Sequence, residues 1–203
     1  IAMTVFQKTP DLFQHLIKVL QDERFLKMQG LNQEVPFFLC PFSVKQKLEI
    51  EDMLPRLTKR LREANVNVVE INLYDLCLEY LQKNDLFEQL CEIEQDTEKG
   101  YFLESLQSIL DIESILIPEI EQIIAVSNKI DVLFLTGVGE VFPYIRTHNI
   151  LNNLQRVAKD FPTLLFFPGE YEQSLEKGAS LRLFGKLPDD KYYRAYDITR
   201  YEI

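Results

Sequence analysis

The chain has 203 residues, of which 46% are hydrophobic, and it carries a formal net charge of −10 at pH 7. This length and apolar fraction are sufficient for one domain with a substantial core. The acidic balance and the lack of a Lys/Arg-rich run argue against direct nucleic-acid binding, which depends on neutralising phosphates. No apolar run approaches the ~18 residues needed to span a bilayer, so we expect a cytoplasmic protein with no membrane association.

We expect a single α/β domain over residues 3–203, with residues 1–2 as a cloning remnant. The cysteines Cys40, Cys77 and Cys91 are too scattered in sequence for a zinc cluster. Each has apolar neighbours, which predicts buried free thiols in a reducing compartment.

The N-terminal part of the chain predicts a helix followed by a buried strand. Thr9-Pro10-Asp11 is typical of a helix start, with Thr9 as the cap. An apolar run over residues 36–40 predicts the first strand, which Pro41 is expected to end. Ser43 and Gln46 have capping-box spacing and predict the start of the next helix.

A second strand and a long helical segment follow. Pro55 must bend the preceding helix or lie in its first turn. Residues 66–73 begin with alternating apolar positions and predict a strand. Strand, helix and strand in this order predict a βαβ unit with a parallel sheet. The chain over residues 76–128 is predicted to be almost wholly helical.

The C-terminal third adds further strands. A continuous apolar run over residues 130–135 predicts a strand buried on both faces. A helix is predicted over residues 143–157 and a strand over residues 164–167. Short extended pieces are predicted over residues 181–184 and 192–198. The fold class is therefore α/β: a mainly parallel sheet with flanking helices, a helical middle segment and short C-terminal strands.

The glycine turn after the third strand is one candidate ligand site. A dinucleotide-binding fingerprint needs a third glycine where Phe142 stands, so Gly137 and Gly139 instead predict a tight turn that requires positive φ. Anion binding at the following helix stays possible, although Glu140 would repel a phosphate. Gly137, Gly139 and Arg146 are the candidate ligand-edge residues.

The turn after the first strand lacks a phosphate-binding loop. A P-loop has the form G-x-x-x-x-G-K-[ST], whereas residues 41–47 contain no glycine. Lys45 and Lys47 have no neighbouring glycine and hydroxyl to place a phosphate and magnesium. The layout is thus mononucleotide-like without its phosphate loop. The sequence contains no H-E-x-x-H, paired-cysteine or G-x-S-x-G motif, so we predict no catalytic residue, metal site or cofactor.

The C-terminal stretch is rich in tyrosine and arginine, which predominate in protein-binding hot spots. Tyr171 follows the Pro-Gly pair of the last predicted strand, and Tyr192, Tyr193 and Arg194 lie close to the C-terminus. These four residues are the candidate partner-binding residues. The alternative is that they pack as a small antiparallel edge over the core.

Several phrases in one order carry a resemblance to a known family. They are FFLCP (residues 37–41), LFLTGVGEVFPYIR (133–146), FFPGEY (166–171), LFG (183–185) and YYRA (192–195). The chain resembles the BrxB family, the small component of bacteriophage exclusion (BREX) systems, over nearly its whole length.

The resemblance implies membership of a multi-protein antiviral system, in which a methyltransferase marks host DNA and phage replication is blocked. Other members include a large ATPase and PglZ, a protein with a phosphatase-like domain. The resemblance brings no catalytic residue, which agrees with the motif search. It implies association with other BREX proteins, with PglZ as the first candidate and the large ATPase as the second.

Two functional hypotheses follow from these observations. The leading hypothesis is a non-enzymatic assembly or adaptor component that binds other BREX proteins. The alternative is a nucleotide- or small-molecule-sensing module that binds at the carboxyl ends of the parallel strands, near Pro41, Gly137 and Pro168.

Overall fold

The computed structural model describes residues 6–29, 36–174, 178–188 and 195–203. The strands are β1 (Phe37–Phe42), β2 (Val68–Asn72), β3 (Val132–Thr136), β4 (Thr163–Ser174), β5 (Gly178–Leu183), β6 (Leu187–Pro188) and β7 (Tyr196–Asp197). The helices are α1 (Thr9–Val19), α2 (Glu23–Leu26), α3 (Lys47–Glu63), α4 (Leu73–Lys83), α5 (Phe87–Glu94), α6 (Lys99–Ile109), α7 (Ile117–Val126) and α8 (Thr147–Leu154). In this part of the chain, no helix combines the length and the apolar character needed to cross a membrane.

The main sheet is parallel, with the strand order β2-β3-β4-β1-β7. The predicted α/β class is therefore confirmed. The connection from β1 through α3 to β2 crosses over β4 and β3, whereas the connections from β2 to β3 and from β3 to β4 step to neighbouring strands. The α3 connection and the helices after β2 thus pack on opposite faces of the sheet.

Alternate residues of each central strand enter two separate cores. Leu39, Leu135 and Leu165 pack with α4, α7 and α8 on one face. Phe38 and Phe134 pack with α1 and α3 on the other. Because both faces are buried, these strands are continuous apolar runs, as expected for parallel strands.

The fourth strand is longer than predicted. Past Pro168, β4 leaves the parallel sheet and pairs antiparallel with β5. A Cβ on Gly169 would lie 2.3 Å from the carbonyl oxygen of Arg182 and 2.7 Å from the Phe167 ring. The Pro168-Gly169 pair has a composition typical of turns, but it lies within β4, at a point where only glycine lets the two strands approach.

Three local predictions from the sequence were wrong. Lys8, not Thr9, is the N-cap of α1, and the buried Thr9 hydroxyl donates to the Glu49 carboxylate of α3. Pro41 lies inside β1, beside a stretch of the sheet edge that the two-residue β7 does not reach, so its missing amide proton is tolerated. Cys91 is exposed on α5, whereas the other two cysteines are buried as predicted.

The capping box predicted before α3 is confirmed. The Ser43 hydroxyl accepts from the Lys45 amide, and the Gln46 side chain accepts from the Ser43 amide at 3.1 Å. This capping box closes a short 3-10 turn that runs directly into α3. Pro55 lies in the interior of α3.

Asp131 fastens the start of β3 to the chain just before β2. Its Oδ2 accepts from the backbone amide of Asn67 at 2.7 Å and from the Asn67 side-chain amide at 2.6 Å. Its Oδ1 lies 2.9 Å from Lys129 Nζ. Partial burial pushes the pKa of Asp131 upward, but these contacts together hold it below its usual 3.8.

We predict that Asp131→Ala lowers the free energy of unfolding by about 1–3 kcal/mol at pH 7, because charge-assisted hydrogen bonds are lost. A carboxyl with a depressed folded-state pKa stabilises the fold above its unfolded pKa and loses that effect as pH falls through the folded value. Urea unfolding between pH 7 and pH 3 should therefore show the difference between wild type and variant shrinking with acid. Asp160→Ala, at an exposed site, is the control, and a difference that grows with acid contradicts this account.

Candidate functional site

A cleft of about 570 Å³ lies at the carboxyl ends of the parallel strands β1 to β4, beside the first half of α3. We call it the strand-end cleft. Crevices at this edge of parallel sheets are the usual ligand sites of doubly wound folds. The cleft therefore occupies the place that the sensing hypothesis requires.

Strand alternation determines which side chains reach the cleft. Residues with the parity of Phe38 and Phe134 face α3, and near the strand ends these positions are Phe42, Asn72 and Thr136. The apolar runs thus give way to polar side chains at the open edge of the same face.

Gly137 lies on the cleft wall, where its role is to allow a backbone conformation and a close contact that other residues could not adopt. Its φ is +74°, and a Cβ there would lie 2.2 Å from Asn72 Oδ1. That oxygen caps α4 by accepting from the amides of Tyr74 and Asp75 at 2.9 and 3.3 Å. The positive φ predicted for this glycine is confirmed, and the close approach to the cap is a second reason for it.

Gly139 also lines the cleft but does not have positive φ. A Cβ there would lie 3.0 Å from both the Pro168 and the Phe184 side chains. The prediction of positive φ was therefore wrong for this position. What requires a small residue is the contact between the turn after β3 and the β4–β5 hairpin.

The cleft carries an excess of negative charge. Lys47 Nζ lies 2.5 Å from Glu140 and 3.6 Å from Glu51, while Glu70 accepts from the Thr136 hydroxyl at 3.2 Å. The hydrogen bond to Glu140 raises the pKa of Lys47 above 10.5, although partial burial acts in the opposite direction. Three carboxylates against one ammonium leave two negative charges in excess.

Pro55 also lines the cleft, beside Glu51 on α3. Because proline has no amide proton, it does not make the usual helical hydrogen bond to the carbonyl of Glu51, four residues earlier.

The third predicted ligand-edge residue lies elsewhere. Arg146 is exposed, is not part of the cleft, and stacks over the Phe142 ring at 5.7 Å from its centroid. The helix α8 begins at Thr147, four residues later than predicted, and Arg146 is the N-cap of this shorter helix.

The predicted partner-binding residues separate into two groups. Tyr171 is buried, and its hydroxyl donates to the carbonyl of Ala195 at 2.7 Å, so it packs in the core and offers no surface. This agrees with the packing alternative for that residue. Tyr192, Tyr193 and Arg194 lie outside the described residues.

Sequence patterns alone did not identify Glu51 and Glu70 as cleft residues. Glu51 lies in an ordinary charged helix, and Glu70 is one charged position in a strand. Glu70 lies on the same face of the sheet as Asn72 and Thr136, and this alternation could have identified it. Using that signal requires knowing the register of β2 with β3. Among the described residues, no group of three His, Cys, Asp or Glu side chains could hold a metal ion.

We predict that Gly137→Ala lowers the free energy of unfolding by about 2–4 kcal/mol, through backbone strain and loss of the Asn72 cap. Gly185→Ala is the matched control, because its φ is +68° but the nearest atom to a new Cβ lies 3.6 Å away. We expect about 1 kcal/mol there, from strain alone. Urea unfolding measures the loss of stability in both variants. Equal losses would show that the contact with the Asn72 cap does not contribute to stability.

Comparisons with known proteins agree with the resemblance in the sequence. The family described as "BREX protein BrxB" matches residues 69–198. The chain is 30% identical over 184 residues to "BREX protein BrxB" of Bacillus cereus (strain H3081.97), an alignment that covers 90% of this chain and 93% of that protein. It is 25% identical over 185 residues to "BREX protein BrxB" of Escherichia coli O9:H4 (strain HS), covering 89% and 86%. No solved structure matches the chain significantly. The chain therefore belongs to the BrxB family and is a component of a BREX phage-defence system.

Proposed function

We propose that this BrxB-family chain is a non-enzymatic assembly component that acts in the cytoplasm by binding other BREX proteins. One observation carries the proposal: the turn after β1, where a mononucleotide-binding fold holds phosphate, is closed by the Ser43–Gln46 capping box. The amides of Ser43, Lys45 and Gln46 in that turn already have partners, and the adjacent cleft has an excess of carboxylates.

The expected partners follow from the family. PglZ is the first candidate and the large ATPase is the second, and phosphate chemistry in the system is assigned to them. Apolar surface beside the cleft supports a binding role, because Leu48 on α3 is 74% exposed and Val44 at the cleft edge is also exposed. Tyr192, Tyr193 and Arg194 remain candidate anchors.

We predict that the tagged chain, expressed from the complete defence operon, co-purifies with PglZ or the large ATPase. Mass spectrometry of the native complex identifies the partner. Purification of the chain alone from cells that contain all the other components would contradict the proposal.

We predict that Tyr192→Ala combined with Arg194→Ala weakens the complex by about 1–4 kcal/mol, as for hot-spot anchors. Thermal unfolding should be unchanged. Tyr101→Ala on α6 is the control, because Tyr101 is a strongly exposed tyrosine far along the chain from this segment. Unchanged affinity, or loss of folding, would favour the packing alternative for these residues.

The sensing hypothesis remains as a second candidate because of the cleft itself. We expect no saturable rise in melting temperature with ATP, ADP or GTP, with or without Mg²⁺. A ligand at 100 times its dissociation constant would stabilise the chain by about 2.7 kcal/mol, which a thermal-shift assay detects readily. A saturable shift would favour sensing over the assembly role.

A further inference from the structure

The charged groups of the strand-end cleft are mostly carboxylates. Glu51, Glu70 and Glu140 line it together with a single ammonium, that of Lys47. A ligand that matches this set must supply donors and positive charge.

The one ammonium and one hydroxyl donor of the cleft are already engaged. The Lys47 ammonium is paired with Glu140 and Glu51, and the Thr136 hydroxyl donates to Glu70. An incoming phosphate would have to break the Lys47 pairs, and it would still face Glu70.

The remaining walls are apolar and aromatic. Phe42, Phe166 and Phe184 line the cleft, and the exposed side chain of Leu48 adjoins Lys47 on α3. A guanidinium group is planar, is always charged, stacks on aromatic rings and donates five hydrogen bonds. Exposed apolar surface beside a polar region is typical of protein-binding sites, whose core is apolar and whose rim is polar.

We propose that the strand-end cleft receives an arginine side chain of a partner protein. The arginine head would lie among the carboxylates of Glu51 and Glu70, and its flanking residues would cover Val44 and Leu48. This inference rests on the proposed assembly function and specifies one contact within it.

The first experiment measures the chemistry of the cleft without a partner. Agmatine, a free guanidinium compound, is titrated into the ¹⁵N-labelled full chain, with ATP as the anionic comparison. We expect agmatine to shift the amides of residues 70–74 and 136–140, with weak millimolar affinity. The variant Glu51→Gln/Glu70→Gln should bind it roughly tenfold more weakly.

The control variant removes the same charge elsewhere. Glu92→Gln/Glu104→Gln changes two exposed carboxylates on α5 and α6, and it should leave the agmatine titration unchanged. Equal weakening in both variants would show only a response to net charge. Binding of ATP in the cleft, or agmatine shifts elsewhere, would overturn the inference.

The second experiment identifies the arginine. A photo-crosslinking amino acid at Leu48, introduced in the native complex, should crosslink to a partner segment that contains arginine. Replacing that arginine by alanine and introducing Glu51→Gln/Glu70→Gln should each weaken the complex roughly tenfold. The two changes together should weaken it by less than the product of their effects, because they remove one interaction.

The outcomes separate this inference from the proposed function. If the wild-type complex forms and the cleft variant retains full affinity, the arginine contact is wrong and the assembly function stands. If the wild-type chain binds no BREX protein, the assembly function fails. Agmatine binding in that case would identify a free cation, rather than a protein side chain, as the occupant.

Discussion

The burial of both faces of the central strands is the constraint on which the rest of this structure depends. Leu39 and Phe38 are neighbours in β1, yet they enter different cores, and the same holds for Leu135 and Phe134 in β3. A slip of one residue in register would exchange the two sets of side chains. Register is therefore strongly specified, and with it the identity of the side chains that emerge at the carboxyl edge of the sheet.

The cleft follows from this register and from the position of α3. Where the apolar runs end, the next residues that face α3 are Glu70 and Asn72 in β2 and Thr136 in β3. The first half of α3 covers them incompletely and contributes Lys47 and Glu51. The Lys47–Glu140 pair then bridges the start of α3 to the turn after β3. This pair is partly exposed, so its value lies in positioning these elements rather than in stability.

Local signals in the sequence were sufficient for the class of the fold and for most elements. Continuous apolar runs predicted the central strands, and the capping box at Ser43 predicted the start of the helical turn before α3. What failed depended on distant contacts. Thr9 is a residue type that commonly caps helices, but its hydroxyl instead donates a hydrogen bond to the carboxylate of Glu49, 40 residues away. The Pro168-Gly169 pair has the composition of a turn, but pairing with β5 makes it strand. Glu70 belongs to the cleft only because β2 pairs with β3 in one particular register.

The capping box and a phosphate site compete for the same backbone. In a mononucleotide-binding fold, free amides after the first strand hold the phosphate. Here the Ser43 hydroxyl accepts from the Lys45 backbone amide, and the Gln46 side-chain oxygen accepts from the Ser43 backbone amide. The side-chain nitrogen of Gln46 also donates to the Phe6 carbonyl at 3.1 Å. Opening this turn for an anion would cost about 1 kcal/mol for the lost cap, before the repulsion of nearby carboxylates is counted. A chain that has closed this turn is better suited to accept a cation on the acidic side of the cleft than to hold a phosphate at the end of β1.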